Sequence, residues 1–223
     1  MQKTLFICTL LFIVLCAGNC KKPSTPDTST TGDYQPLTVG SEWNYTVTGS
    51  NAGAFKVTIL NRDTTINGKV YSVASNSASV NEYYAKFNGE YLRYNKFAEL
   101  NNQTIELLYL KDKLAKGQTW TEVKTVNITL GGSSVPVTAT LVFTIAEKGI
   151  DYVVNGTTFK NVIKVTVAPS FSIFGSTQNP DSYDLQYYYA FNVGLIYSKT
   201  SIVMALAGIN QNSETKIGAY TIK

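Results

Sequence analysis

From Leu37 onward, apolar and polar residues alternate with a period of two. Trp43, Tyr45 and Val47 fall on one side, with Asn44, Thr46 and Thr48 on the other. Phe55, Val57 and Ile59 repeat the alternation, as do Leu141, Phe143 and Ile145, then Ile163, Val165 and Val167. Successive side chains of an extended chain point to opposite faces, so this period predicts strands with one apolar face. Enrichment in Thr, Val, Ile, Tyr and Phe agrees with it. Asn-Gly pairs stand at 67–68, 88–89 and 155–156, and Gly131-Gly132 adds a fourth turn signal. Asn-Gly accepts the positive φ of a type I′ turn, so these pairs predict antiparallel hairpins. No stretch carries a helical period; Leu107 to Leu114 comes nearest, and Gly117 stops it.

The strands repeat. Pro36 to Trp43 aligns with Lys113 to Trp120, with Gly40 and Trp43 matching Gly117 and Trp120 at a shift of 77. Asn67-Gly68-Lys69-Val70-Tyr71 aligns with Asn155-Gly156-Thr157-Thr158-Phe159 at a shift of 88. Glu82-Tyr83-Tyr84-Ala85 aligns with Tyr187-Tyr188-Tyr189-Ala190 at a shift of 105. Three blocks in one order point to an internal duplication. Its first copy spans about 37–103 and its second about 104–200, followed by C-terminal strands in 201–223. The second copy gains 11 residues between Trp120 and Gly156, and 17 more between Phe159 and Tyr189. Two units with one apolar face each can bury those faces together. The expected fold is therefore all-β and antiparallel, a strongly curved sheet, half-barrel or sandwich built from two tandem β repeats.

The first residues differ in kind. Lys3 precedes an apolar run from Leu5 to Leu15, and Ala17-Gly18-Asn19-Cys20 follows. That run is too short for a transmembrane helix, which needs about 20 apolar residues, and it reads as a secretory signal. Small residues before Cys20 resemble a bacterial lipobox, whose cysteine receives the lipid. Asn19 stands where the strict pattern has Gly, Ala or Ser, and the looser boxes of Bacteroidetes-type bacteria accept it. Residues 1–19 are thus expected to be a lipoprotein signal peptide, with acylated Cys20 anchoring the mature chain to a membrane. Residues 20–36 are expected to be a flexible tether, and 37–223 a single β domain. A flexible chain of that length spans roughly 22 Å. No acidic residue follows Cys20 in Lys21-Lys22-Pro23-Ser24-Thr25. In the lipoproteins it resembles, this favours the periplasmic face of the outer membrane over export to the surface.

Composition narrows the chemistry. There are no histidines, and all three cysteines, Cys8, Cys16 and Cys20, precede residue 21. His triads, Cys-His dyads, His-ligated metals and zinc knuckles are excluded. The net charge of +4 is mild and its lysines are scattered, so no clustered basic footprint points to nucleic acid. Ser213-Glu214-Thr215-Lys216 has the spacing of a serine nucleophile with a lysine base. It stands on an expected strand, which sends residues i and i+3 to opposite faces. Asp181 and Asp184, or Glu147 and Asp151, read as turn and cap residues rather than a catalytic pair or a calcium loop. No catalytic residue, metal site or cofactor is expected.

Three segments resemble a widespread, functionally uncharacterised group of bacterial envelope lipoproteins. They are Pro36-Leu37 with Gly40 and Trp43-Asn44-Tyr45, the run from Asn155 to Val165, and Tyr188-Tyr189-Ala190 with Gly194-Leu195-Ile196-Tyr197. Where the group has Pro-Gly after Tyr-Tyr-Ala, this chain has Phe191-Asn192. The resemblance implies no known activity, and its fold is akin to the curved half-barrels of lipoprotein carriers. Gly40 and Trp43 are also similar to the Gly-x-Trp start of lipocalins, one residue longer, which makes a lipocalin barrel the second reading.

Tyrosine is the most informative residue type, with 15 in the chain, grouped at Tyr83, Tyr84, Tyr91, Tyr94, Tyr109 and Tyr187 to Tyr189. A ring with a polar tip suits half-wet sheet faces and ligand grooves, although cross-strand packing accounts for many such residues. On a strand, Tyr187, Tyr189 and Phe191 point one way and Tyr188 the other. The second copy's larger insertion reads as a loop holding Phe171, Ile173 and Phe174. Those residues either plug the core or wait for a partner, within reach of Tyr187 and Tyr189. The candidate ligand-binding residues are thus Phe171, Phe174, Tyr187 and Tyr189. The expected function is a non-catalytic envelope lipoprotein that binds a protein, glycan or small molecule through its β-surface. The alternative is a structural or assembly subunit of an outer-membrane complex.

Overall fold

The computed structural model describes residues 33–78, 81–97, 103–130, 133–205 and 208–223, with backbone alone at 96, 97 and 128–130. The signal segment, Cys20 and most of the expected tether lie outside the described residues. So does the Gly131-Gly132 turn, although the strands flanking it pair Leu130 with Ser133.

Thirteen strands follow in chain order: β1 Glu42–Gly49, β2 Gly53–Ile66, β3 Lys69–Asn76, β4 Glu82–Phe87, β5 Glu90–Phe97, β6 Gln103–Lys111, β7 Thr119–Leu130, β8 Ser133–Val154, β9 Thr157–Ile173, β10 Ser176–Gln178, β11 Ser182–Ala190, β12 Gly194–Met204 and β13 Ile209–Thr221. They form one antiparallel sheet in the order β6-β5-β4-β3-β2-β1-β13-β12-β11-β9-β8-β7, with β10 paired only to β9. The fold is all-β as expected, and the sheet curves into a nearly closed barrel. The Asn-Gly turns form where the sequence predicts them, with positive φ at both residues in each of the three pairs. Each alternating set buries one face: Trp43, Tyr45, Val57 and Ile59 from the first half, and Phe143, Ile145, Ile163, Val165 and Val167 from the second.

Both halves begin in the same way. Gly40 (φ +81°) and Gly117 (φ +84°) each complete a tight turn that needs the left-handed backbone. Ser41 N donates to Thr38 O (3.0 Å), and Gln118 N to Ala115 O (3.1 Å). The glycine amides then donate to Ile59 O and Ile145 O (2.9 and 2.7 Å), and Ile59 N and Ile145 N donate back to Ser41 O and Gln118 O (both 3.0 Å). Each turn is thereby stapled to the second strand of its half, β2 or β8, and Trp43 and Trp120 occupy the second position of β1 and β7. Six strands precede the turn at Gly117, and six more, with the short β10, follow it. The run that begins at β1 therefore ends with β6, at Lys111.

The halves differ in height. β7 and β8 have 12 and 22 residues, against 8 and 14 for β1 and β2. Register shifts between Ile145 and Tyr152 bend β8, and Gly149 (φ +72°) sits within them. The second half thus rises as a tall wall beside the shorter first half.

Two departures from expectation shape the interior. The segment read as a loop is mostly strand: Phe171 and Ile173 belong to β9, which turns at Phe174-Gly175 and pairs back through β10. Pro169 concealed this, because proline cannot donate to a ladder. Here the β11 ladder on that edge of β9 ends at Val167 and the β10 ladder begins at Phe171, so Pro169 lies in the gap between them. Second, the end of the expected tether packs into the domain. Tyr34, Gln35 and Pro36 are buried. Tyr34 N donates to the Tyr91 hydroxyl (3.2 Å), Asp33 pairs with Lys86, and the Tyr34 ring meets Phe191 edge-on with centroids 5.5 Å apart.

β6 and β7, the two ends of the sheet order, meet through side chains rather than a ladder. Trp120 Nε1 donates to Leu108 O (2.9 Å), and the Gln103 amide accepts from Asn127 N (3.0 Å) while donating to Asn127 O. Trp43 Nε1 reaches the far side of the core to donate to Val193 O (2.6 Å). Replacing Trp43 or Trp120 with Ala is expected to cost about 3–5 kcal/mol each, as for other buried large aromatics. Urea denaturation measures this; a loss below about 1 kcal/mol for either variant contradicts its role as a core anchor.

Candidate functional site

The barrel interior is not filled. Aromatic side chains pack the end carrying the Asn-Gly turns, and residues 33–37 cross that end. Above this floor lies a cavity of about 340 Å³. That volume is at the lower end for ligand pockets, which run from about 300 to 1,000 Å³. Gln35, Tyr84, Arg93, Tyr109 and Tyr189 line its floor, and Leu107, Leu141, Phe143, Val167, Leu185, Tyr187 and Leu195 form its walls. Ile105, Val126, Ala139, Pro169, Phe171 and Ile202 continue the walls toward the opposite end. Strands rise about 3.3 Å per residue, and Val167 pairs with Leu185, so the four steps from Tyr189 to Leu185 and the four from Val167 to Phe171 add up to walls roughly 26 Å along the strands. The tall strands of the second half supply most of this lining.

Two cations face the cavity. Arg93 lines the cavity and keeps 36% of its side-chain surface accessible. Its Nη2 donates to Glu82 Oε1 (2.9 Å), its guanidinium carbon lies 6.0 Å from the centre of the Tyr84 ring, and its Nε is buried without a partner. Glu82 is buried behind it and also accepts from Asn76 Nδ2 (2.7 Å) and the Tyr84 hydroxyl. A buried carboxylate is tolerable when several donors satisfy it, as here. Lys124 is 2.7 Å from Glu122 on the same strand. The Tyr109 hydroxyl donates to Gln35 Oε1 (3.3 Å), which ties the crossing segment to the floor.

The structure brings Phe171, Tyr187 and Tyr189 to this one cavity. It does not bring Phe174, which stands 81% exposed at the tip of the β9–β10 hairpin. Tyr188 points to the outer face, where its ring stacks on Tyr152 with centroids 4.1 Å apart and Lys164 lies 5.4 Å from its centre. Arg93, Lys124 and Leu107 were missed by sequence reasoning. Arg93 carried one legible signal: it alternates in phase with buried Tyr91 and Asn95. On β13 Lys216 pairs with Glu214 (2.9 Å), and the strand period turns Ser213 to the opposite face. Asp184 pairs with Lys199 (2.7 Å), and Asp181 accepts from Ala205 N (2.7 Å). Among the described residues no cluster of acidic residues could hold a metal ion.

No family model and no curated protein matches the sequence. The fold is similar to that of a crystal structure described as a lipoprotein from Parabacteroides distasonis ATCC 8503. The TM-score is 0.54 at 13% identity, covering 86% of this chain and all of the other.

Burial pushes the phenols of Tyr84, Tyr109 and Tyr189 well above their ordinary value, and the same cause raises Tyr45. They remain neutral hydroxyls throughout the physiological range. Their folded pKa exceeds the unfolded value of about 10, so the stability tied to them is complete below pH 10 and lost as pH rises toward the folded values. A spectrophotometric titration is expected to show one group of tyrosines that ionises only as the fold is lost. Smooth ionisation of all 15 tyrosines near pH 10, with the fold intact, contradicts this.

Proposed function

We propose that the protein is a non-catalytic lipoprotein of the cell envelope that holds one apolar small molecule inside its barrel. The lining of the cavity carries this reading: it is mostly aliphatic and aromatic, with a few polar groups at the floor and Lys124 and Thr200 in the walls, as ligand pockets are. Aliphatic walls such as Leu107, Leu141 and Val167 suit a hydrocarbon better than a glycan, whose hydroxyls they leave unpaired. The likeness to the Parabacteroides structure supports the lipoprotein part, together with the lipobox-like Cys20. The anchor is an acyl group on Cys20 in the outer membrane, with the domain on the periplasmic side.

Binding is testable with 1-N-phenylnaphthylamine, an uncharged dye whose fluorescence rises in apolar surroundings. One dye is expected to bind per chain. Ala139→Trp fills the cavity and is expected to abolish binding without lowering the melting temperature. Val123→Trp, on an outward-facing position that is 58% exposed, leaves binding unchanged. Equal binding to both variants overturns the assignment of the cavity.

The anchor is tested separately. Cys20→Ser is expected to leave the domain folded and to move the protein from the membrane to the soluble fraction, with loss of labelling by radioactive palmitate. An unlabelled, soluble wild-type protein contradicts the anchor.

A further inference from the structure

We infer that the cavity takes a single-chain amphiphile with an acidic head, of the fatty-acid class, seated head-down on Arg93. This rests on the cavity being a ligand site, and it adds the chemistry and orientation of the ligand. The first argument is the distribution of charge. Arg93 and Lys124 line the cavity; the carboxylates that pair with them, Glu82 and Glu122, stand on the inward-facing side of β4 and β7 but do not line it, and among the described residues no acidic residue does. A ligand therefore meets the two cations directly, with their counter-ions beside them and out of its reach.

The second argument is the state of Arg93. A guanidinium carries five donors in a planar fork that fits a carboxylate. In this protein one nitrogen is bonded to Glu82, and Nε is buried without a partner. A desolvated donor without a partner is costly, and an anion beside it offsets that cost. The Tyr189 ring lines the same floor, and burial keeps its hydroxyl protonated and able to donate. Lys124 is the weaker anchor, because it is a point charge closely paired with Glu122 (2.7 Å).

The third argument is shape. The floor is polar, and the walls above it, apart from Lys124 and Thr200, are apolar for roughly 26 Å of strand. A head on Arg93 leaves a hydrocarbon tail against Leu107, Leu141, Val167 and Phe171. A volume of about 340 Å³ suits one slender chain.

The experiment compares cis-parinaric acid, a fluorescent fatty acid, with its methyl ester, using the full chain carrying Cys20→Ser. Wild-type cavity residues are expected to bind the acid about tenfold tighter than the ester or better, as for a hydrogen-bonded charge. The preference is expected to vanish in Arg93→Met and to survive in Lys124→Met. The pair Glu82→Gln with Arg93→Met removes the carboxylate that the single change strands, and it too is expected to bind both probes equally. Circular dichroism establishes that each variant is folded. Equal binding of acid and ester before any change at Arg93 overturns the acidic-head inference and leaves the apolar site standing. A preference that persists without Arg93 overturns the orientation. Failure of acid, ester and phenylnaphthylamine alike overturns the ligand site itself.

Discussion

A sheet of twelve laddered strands that turns back on itself encloses more volume than its own side chains fill. About eight strands make a barrel whose interior side chains just close. Everything else in this protein responds to the excess. At the end carrying the Asn-Gly turns, large aromatics take up the space: Trp43, Tyr45, Tyr91, Tyr109, Trp120 and Phe143 are all buried. Residues 33–37 add a further layer from outside the sheet, through Tyr34 and Gln35. Toward the other end the strands of the second half continue upward while the filling stops. The cavity is what remains between a packed floor and a tall wall.

The same excess governs the seam. A ladder between β6 and β7 would close the barrel, but the two edges approach only closely enough for side chains to bridge them. Trp120 and Gln103 satisfy backbone groups that an open edge would leave to water or to another chain. Trp43 and Trp120 begin their strands in the same way and end in different tasks. The first ties β1 across the core to the start of β12, and the second ties the sheet's two ends together.

The strands and three of the hairpins were legible because both depend on local chemistry, side-chain alternation and the positive φ of Asn-Gly. The candidate site was only partly legible. Tyr187 and Tyr189 could be assigned to one face by period alone, and they do face the cavity. Phe171 was recognised as an apolar residue in need of a partner, but Pro169, the serines and Gly175 disguised its strand as a loop. The disguise came from a gap between two ladders on one edge of β9, which no local pattern encodes. Tyr34 and Gln35 were invisible for a related reason. Their burial depends on an unfilled barrel end more than 50 residues away in the chain, where Tyr91 and Tyr109 wait. Arg93 alternated correctly, yet a cation inside a barrel makes sense only once Glu82 and the cavity are both in view.

An apolar cavity of this size is not neutral for the fold. It opens to solvent, so water reaches its walls when nothing is bound. Filled with water, it would leave leucine, valine and phenylalanine walls wetted and the guanidinium of Arg93 half-hydrated inside protein. A hydrocarbon tail would cover those walls, and an acidic head would meet the accessible face of the Arg93 guanidinium. Both gains come from binding one molecule, which by linkage also stabilises the folded barrel.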